Sequence, residues 1–179
     1  MTTSNIESII ATTIDKYEGG FVNHRNDRGG PTNMGITKRV YEQFKGRSVS
    51  VQEIRDMPRY DAVEIYKKQY FLDPGIDRLP SEVHHKVFDM SVNHGPRRAV
   101  TLLQRALVRL GWRSTSRDGV IGPQTIGNTQ QALNTFGKNR VVNTMVEVRN
   151  EFFDAIIRND RSQRVFERGW KNRSNSFLS

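Results

Sequence analysis

One stretch of the chain reads Glu18-Gly-Gly-Phe-Val-Asn-His-Arg-Asn-Asp27-Arg-Gly-Gly-Pro-Thr32. The residues before it carry apolar side chains at the three-four spacing of one helix face, namely Ile6, Ile9, Ile10, Ile14 and Tyr17. Gly19 and Gly20 supply the backbone freedom with which helices commonly end. The pattern therefore predicts a first helix over residues 4–18, followed by a loop or short hairpin over residues 19–36.

Glu18 and Asp27 occupy contrasting surroundings in this stretch. The unpaired carbonyls at a helix end and the apolar Phe21 and Val22 would both raise the pKa of the Glu18 carboxyl. The polar residues around Asp27 would instead keep that aspartate ionised. A proton-donating acid beside an ionised carboxylate is the pair that glycosidic bond cleavage requires, and the turn at residues 29–31 would bring the Thr32 hydroxyl toward it. The same residues also fit an ordinary helix end and a polar turn.

The rest of the chain predicts a mainly α fold with little strand. Helices are expected from Thr37 to Lys45, in a short element opened by a Ser50 and Glu53 capping box, and over residues 59–70, 81–93 and 96–110. Further helices are expected after Pro123 and from Lys138 to Asn159. We find no internal repeat or linker, so two regions with a boundary near residue 94 are expected to pack as one bilobed body.

Several motifs resemble the glycoside hydrolase family 108 muramidases found among bacteriophage endolysins. They are Glu18-Gly-Gly-Phe, Asp27-x-Gly-Gly-x-Thr32, Thr32-x-x-Gly-Ile-Thr37, Ile65-Tyr66-x-x-x-Tyr70 and Phe88-Asp-x-x-Val-Asn93-x-Gly-Pro. The later motifs Leu103-Gln104-x-Ala-Leu and Asp118-Gly-x-Ile-Gly-Pro-x-Thr125 are similar to the predicted peptidoglycan-binding region that usually follows in that family. The resemblance implies a lysozyme-like fold, with a catalytic region over residues 1–94 and a peptidoglycan-binding-like region over residues 95–179.

The resemblance also implies roles for individual residues. Glu18 would be the proton donor that cleaves the bond from N-acetylmuramic acid to N-acetylglucosamine in peptidoglycan. With Asp27 and Thr32 it is similar to the Glu, Asp and Thr triad of the inverting phage lysozymes, although here the spacing from Asp to Thr is one residue shorter. An inverting site would hold its two carboxyl groups about 6.5 to 9.5 Å apart.

Four residues are candidates for binding the sugar. Thr37 belongs to the family-like motif that follows Thr32, and Asn93 would hydrogen-bond sugar or main chain in the cleft or, alternatively, cap a helix. Tyr66 and Tyr70 lie four residues apart on one helix side and could stack against a sugar ring. Aromatic residues at this spacing are also common in cores.

Basic residues outnumber acidic ones by 28 to 19, which leaves a net charge of +9. No acid occurs between Asp89 and Asp118, a span that contains six arginines. On the helix expected after Pro96, Arg98, Arg105 and Arg109 share the side opposite the apolar stripe. This face is either an ordinary solvated surface or a site of attraction to a polyanion, such as peptidoglycan peptides, the anionic cell envelope or nucleic acid.

Composition excludes several classes of protein. The chain has no cysteine, and its four histidines do not form a recognised zinc spacing, so we expect neither a metal site nor another cofactor and disfavour a zinc amidase. No signal peptide is visible at the N-terminus. We therefore expect a monomer that is made in the host cytoplasm and reaches periplasmic peptidoglycan after holin-type membrane release.

Two alternatives to the hydrolase stay open at this stage. A lytic transglycosylase would use Glu18 on the same bond but would need no second carboxylate. A non-enzymatic basic protein that binds cell wall or nucleic acid would depend on the arginine-rich span instead.

Overall fold

The computed structural model describes residues 3–17, 19–22 and 30–179. Contacts between Cα atoms divide the chain into two compact units, Met1–Tyr70 and Phe71–Ser179. Helices dominate both units, and one two-stranded antiparallel sheet is present in the described part of the chain. The predicted mainly α, lysozyme-like fold with a short hairpin is confirmed.

The first unit is built on helix α1, Thr3–Tyr17, which packs against α4, Arg59–Lys67. Ile6, Ile10 and Ile14 are buried, as their helical spacing predicted. On the surface, Arg59 donates to both carboxylate oxygens of Asp15, over 2.6 and 2.9 Å. This bidentate ion pair lies beside the buried face. It helps to orient α1 against α4, while the burial of apolar side chains stabilises the contact.

A hairpin follows α1 in the first unit. Strand β1, Thr32–Asn33, pairs with β2, Ile36–Thr37, so that Thr32 faces Thr37. The two turn residues, Met34 and Gly35, both have positive φ angles of 47° and 75°, which suits a tight hairpin turn. The Asn33 side chain donates to the carbonyls of Ile54 and Arg55 over 3.0 and 2.8 Å and thereby ties the hairpin to a neighbouring helix.

That neighbouring helix is α3, Val51–Arg55, which follows α2, Lys38–Lys45. Thr37 caps α2 by accepting from the Val40 N–H, and Gly46 ends that helix with a left-handed conformation. Ser50 and Glu53 form the predicted capping box at the start of α3. The sequence signals for both helix starts are therefore confirmed.

The second unit is centred on α5, His84–His94. It packs against α6, Pro96–Arg109, which in turn packs against α7, Pro123–Asn159. Gly137 interrupts α7 with a φ of 76°, between the two helices that the sequence predicted for this segment. A last helix, α8, Glu167–Asn175, follows a 3₁₀ turn over Arg161–Phe166 and was not predicted, because it carries too few apolar residues to show a helical period.

Short irregular helices connect α4 to α5. A π-helical segment spans Lys68–Leu72, and 3₁₀ turns span Ile76–Arg78 and Ser81–Val83. The division by contacts falls after Tyr70, inside the predicted catalytic region, because α5 packs against α6. The predicted regional boundary near residue 94 stays a prediction. Within the described part of the chain, no helix combines the length and apolarity that crossing a bilayer requires.

Candidate active site

Glu18 and Asp27, the two predicted catalytic carboxyls, lie outside the described residues. The structure describes the chain on either side of them. Helix α1 ends at Tyr17, and Gly19 and Gly20 are exposed. The described part of the segment therefore has the helix end that the sequence predicted, while the placement of the two carboxyls stays a prediction.

Thr32, the third member of the predicted triad, lies in β1 and is half-buried. Its backbone N–H donates to the Val22 carbonyl over 2.9 Å, and its own carbonyl accepts from the Val22 N–H over 2.8 Å. These two bonds add Val22 to the edge of the hairpin as an antiparallel bridge. The two ends of the stretch that includes Asp27 in sequence are thus joined, and the Thr32 hydroxyl donates to the Gly30 carbonyl over 3.3 Å.

Arg55 provides a second attachment for the segment before this bridge. Its guanidinium lies over the Phe21 ring, 4.6 Å from the ring centroid, which is within the range of a cation–π interaction. Because Arg55 ends α3, residues 19–22 are held both by β1 and by a helix of the first unit.

The predicted sugar-binding residues of the first unit have structural contacts. The Thr37 hydroxyl accepts from the Val40 N–H over 3.4 Å as the cap of α2. The Tyr66 ring is 2% exposed, and its hydroxyl donates to the Met34 carbonyl in the hairpin turn over 2.9 Å. Tyr66 is thus a core residue, while the half-buried Tyr70 packs on it at 5.4 Å between ring centroids. Sugar contact by Thr37, Tyr66 and Tyr70 stays a prediction.

Asn93, the remaining predicted residue, lies near the end of α5 in the second unit and is exposed. Its side-chain oxygen accepts from Nη2 of Arg149 over 3.0 Å. Arg149 is fully buried, and its Nη1 donates to Asp89 over 2.7 Å while its Nε donates to His94 over 2.9 Å. Asn93 therefore stands at the surface end of a buried ionic network. The helix ends at His94 and its C-cap residue is Gly95, with a φ of 83°, so Asn93 is not the cap. Sugar contact by Asn93 stays a prediction.

Asp89 is the acceptor at the centre of this network. It is 1% exposed and also accepts from Nε of Arg173 in α8 over 2.9 Å. Burial raises the pKa of Asp89, but the two guanidiniums of Arg149 and Arg173 outweigh that effect and hold it below its usual value. The paired charges thus connect α5, α7 and α8.

Two bases beside the network have lowered pKa values. Burial, and next the charge of Arg149, lower the pKa of His94 to about 3. Its Nε2 is therefore an unprotonated acceptor for the Arg149 N–H. Burial and the same guanidinium lower the pKa of Lys86 to about 6, against the opposing effect of Asp89. The sequence signal for this cluster is a set of polar residues on the buried face of α5, and only Asn93 at the edge of the cluster was among the predicted site residues.

The Gln104 and Asp118 motifs form one hydrogen-bonded assembly in the second unit. The buried Gln104 amide donates to Asp118 Oδ1, the Val120 carbonyl and the Thr125 hydroxyl, and its oxygen accepts from the Gly119 N–H. Asp118 Oδ1 also accepts from the Val120 N–H over 2.9 Å. These family-like residues therefore fix the loop between α6 and α7.

The described residues include no group of three His, Cys, Asp or Glu side chains that could hold a metal ion.

Comparison with known proteins identifies both halves of the chain. The model of the family "Glycosyl hydrolase 108" matches residues 11–95. The model "Predicted Peptidoglycan domain" matches residues 98–175. No curated protein sequence matches the chain.

Among solved structures, one titled "Structure of Brucella abortus SagA" is similar, with a TM-score of 0.74 and 28% sequence identity. The alignment covers 98% of this chain and 92% of that chain. The fold and both regions are therefore shared along nearly the whole length. The chain therefore combines a glycosyl hydrolase 108 region over residues 11–95 with a predicted peptidoglycan domain over residues 98–175, and it is a peptidoglycan-hydrolysing glycoside hydrolase.

Proposed function

We propose that the enzyme hydrolyses the β-1,4 bond from N-acetylmuramic acid to N-acetylglucosamine, with Glu18 as the general acid. The family match over residues 11–95, which includes the Glu18-Gly-Gly-Phe motif and Thr32, is the observation that carries this proposal. A family 108 region followed by a peptidoglycan domain favours this enzyme over a non-enzymatic basic binding protein.

The described residues around Glu18 support an acid at this position. Helix α1 ends at Tyr17, the residue directly before Glu18. Carbonyl groups in the last turn of a helix carry partial negative charge, which favours the neutral form of a nearby carboxyl. A neutral carboxyl can transfer its proton to the oxygen of the leaving sugar.

Asp27 and Thr32 would complete an inverting mechanism. In this proposal Asp27 is the ionised base that takes a proton from the attacking water, and the Thr32 hydroxyl holds that water. The backbone bridge between Val22 and Thr32 supports this assignment, because it joins the two ends of the stretch that includes Asp27 in sequence. The two carboxyl groups would stand about 6.5 to 9.5 Å apart, with the water between them.

The first experiment measures turbidity loss of purified sacculi with the wild type and Glu18→Gln. A glutamine cannot donate the proton, so we expect the rate to fall roughly 10²- to 10⁴-fold. Glu82→Gln, which alters an exposed glutamate of the second unit, is the matched control and should keep the wild-type rate. A Glu18→Gln enzyme that clears sacculi at the rate of its control would refute the assignment of the acid.

Mass spectrometry of the released fragments separates hydrolysis from lytic transglycosylation. Hydrolysis adds water and leaves a reducing muramic acid end, whereas a transglycosylase leaves a 1,6-anhydro end. We expect reducing ends with the wild type and a large loss of rate with Asp27→Asn. Anhydro ends together with an active Asp27→Asn enzyme would establish the transglycosylase instead.

We further propose that the protein acts as an endolysin that is made in the host cytoplasm and reaches periplasmic peptidoglycan through a separate membrane lesion. The peptidoglycan domain over residues 98–175 supports a wall target. Expression in a Gram-negative host should leave growth unaffected until the inner membrane is permeabilised, for example with chloroform, after which lysis should be rapid. Lysis without permeabilisation would contradict this route.

A further inference from the structure

Two adjoining clefts open on the surface of the second unit, and they share His94 and Arg98. One has a volume of about 580 Å³ and is lined further by Arg97, Thr101, Arg117 and Asp118. The other has a volume of about 430 Å³ and is lined further by Asn93, Phe152, Phe153, Gln163 and Trp170. Together they form a groove, hereafter the α6 groove, with a cationic end and an aromatic end.

The cationic end presents positive charge that no neighbouring acid neutralises. Arg97, Arg98 and Arg117 are exposed, and across the described residues none of their guanidiniums lies within ion-pair distance of a carboxylate. Arg97 donates only to the Asp118 carbonyl, over 3.4 Å. The Asp118 carboxylate, the one acid that lines this cleft, already accepts from Gln104 and from the Val120 N–H. Three guanidiniums are therefore available to an anionic ligand.

The protein holds the cationic end in a defined shape. Gln104 fixes the loop that carries Arg117 and Asp118, and the φ of +76° at Gly119 brings that loop against Arg97 in α6. Arg98 is also positioned, because its guanidinium lies 5.1 Å from the centroid of the Phe152 ring. Preorganised donors bind a ligand with a smaller loss of conformational entropy than mobile surface side chains do.

The aromatic end offers one amide donor and one amide acceptor. Arg149 donates to Asn93 Oδ1, which orients the Asn93 amide so that its NH₂ group is the part left for a ligand. Gln163 donates through Nε2 to Asp160 and Ser162, which leaves its oxygen as the acceptor. Phe153 and Trp170 stack beside them, with 5.2 Å between ring centroids. This arrangement matches the C=O and N–H groups of a peptide bond.

We propose that the α6 groove binds the peptide side chain of peptidoglycan. Its carboxylates would pair with Arg97, Arg98 and Arg117, and a peptide bond would lie against Asn93 and Gln163 on the aromatic surface. Guanidinium–carboxylate pairs and amide hydrogen bonds together select an anionic peptide over a bare glycan strand. This inference rests on the proposed function, because it assumes a peptidoglycan substrate.

The test measures binding of the full-length chain by isothermal titration calorimetry to three probes: the disaccharide without peptide, the disaccharide with its tetrapeptide, and the free tetrapeptide. We expect both peptide-containing probes to bind and the bare disaccharide to bind at least about tenfold more weakly, since each charge-assisted hydrogen bond is worth roughly a factor of ten. The double variant Arg98→Gln/Arg117→Gln should lose at least about tenfold in affinity for the free tetrapeptide.

Arg113→Gln/Arg158→Gln is the matched control, because it also removes two positive charges, at exposed positions outside the groove. It should keep wild-type affinity for the tetrapeptide. Equal losses in both double variants would show only general charge attraction and would overturn the proposal, as would a wild type that does not bind the tetrapeptide. Binding of a single-stranded DNA probe in place of the tetrapeptide would also overturn it, in favour of phosphate recognition.

The result is independent of the catalytic assignment. In both disaccharide probes N-acetylglucosamine is linked to the 4-position of N-acetylmuramic acid. None of the three probes therefore contains the bond from N-acetylmuramic acid to N-acetylglucosamine, and the binding assay gives an answer even if Glu18 is not the acid. Conversely, the sacculus assay with Glu18→Gln reports on catalysis and not on the α6 groove.

Discussion

Asp89 and Arg149 show how single residues define the interior of the second unit. Both are buried, and each has further hydrogen bonds: Asp89 accepts from Arg173, and Arg149 donates to His94 and Asn93. Burying two charges carries a large desolvation cost, which such a network offsets only when its geometry is satisfied. The cluster therefore specifies how α5, α7 and α8 pack more than it adds to stability.

Lys86 is another basic group beside this pair, and its folded pKa of about 6 lies far below the unfolded value of 10.5. Between pH 6 and 10.5 the unfolded chain holds a proton that the folded chain lacks, so stability rises with pH across that window. We expect Lys86→Met to stabilise the protein at pH 7 by on the order of a few kcal/mol and to flatten this rise. Denaturant unfolding at several pH values measures both effects.

Lys138→Met is the control for this change, because it removes an exposed lysine of α7. It should alter stability at pH 7 by less than about 0.5 kcal/mol. A Lys86→Met protein that is less stable than the wild type at pH 7 would show that the buried ammonium is well solvated or paired.

His94 makes the second unit sensitive to acid. Its folded pKa of about 3 lies below its usual value of 6.5, so the unfolded chain binds the extra proton between pH 3 and 6.5. Stability is thus fully present above pH 6.5 and is lost as the pH falls through this range, by up to about 1.4 kcal/mol per pH unit.

His94→Gln provides the test, since a glutamine oxygen can still accept from Arg149 without titrating. We expect thermal melts from pH 7 down to pH 4 to fall less steeply for the variant than for the wild type. Equal slopes would contradict the assignment of this acid sensitivity to His94. Protonation of Asp89 affects both proteins, so it cancels in the comparison of the two slopes.

At the scale of structural elements, the loop between α6 and α7 requires glycine at position 119. A Cβ atom on Gly119 would lie 2.6 Å from Arg97 Cγ and 2.8 Å from the Arg97 carbonyl oxygen, and the φ of +76° disfavours any side chain. We expect Gly119→Ala to destabilise the protein by roughly 2–4 kcal/mol through the clash and the strained backbone. Denaturant unfolding at pH 7 measures the change.

Gly127→Ala offers a matched control, because Gly127 lies inside α7 with nothing within 4 Å of its added Cβ. Alanine should stabilise this helix by roughly 0.5–1 kcal/mol. If the two substitutions had effects of the same sign and size, the close approach between the loop and α6 would be refuted.

Elements with local signals were predictable from sequence. The N-caps of α2 and α3 are Thr37 and Ser50, as predicted, and α7 is interrupted at Gly137, between the two predicted helices. Caps and glycine breaks depend on a few adjacent residues, so a local pattern shows them. Helix α8 was missed, because Trp170 alone contributes a large apolar side chain to it and Arg173 docks on Asp89, which is distant in sequence. Its place in the fold depends on nonlocal contacts.

At the scale of the whole molecule, the net charge of +9 predicts attraction to an anionic cell wall. We expect the initial rate on sacculi to fall as NaCl rises from 20 to 300 mM, because the screening length drops from roughly 20 Å to about 6 Å over this range. A soluble peptide-free glycan substrate, which keeps only the lactyl carboxylate of each muramic acid, should show a weaker dependence. Equal salt dependence for the two substrates would contradict attraction to the charged wall.

Only part of the candidate site could be predicted from sequence. The residues of the family motifs are visible as a pattern, but their functions differ in the fold: Gln104 and Asp118 fix a loop, and Tyr66 fills the core. Nothing in the spacing of Arg98, Arg117 and Trp170 indicates that they line one groove. Residues far apart in sequence are brought together by helix packing, which a local pattern does not encode.

The sequence by itself determined the mainly α class, most helix limits, the hairpin region and the basic character, because each follows from composition or from interactions within a few residues. The tertiary structure alone decided which polar residues are buried together, which aromatic rings are exposed, and where the unpaired arginines meet. Those outcomes depend on contacts between distant segments, whose free energy is gained only when the whole unit has packed.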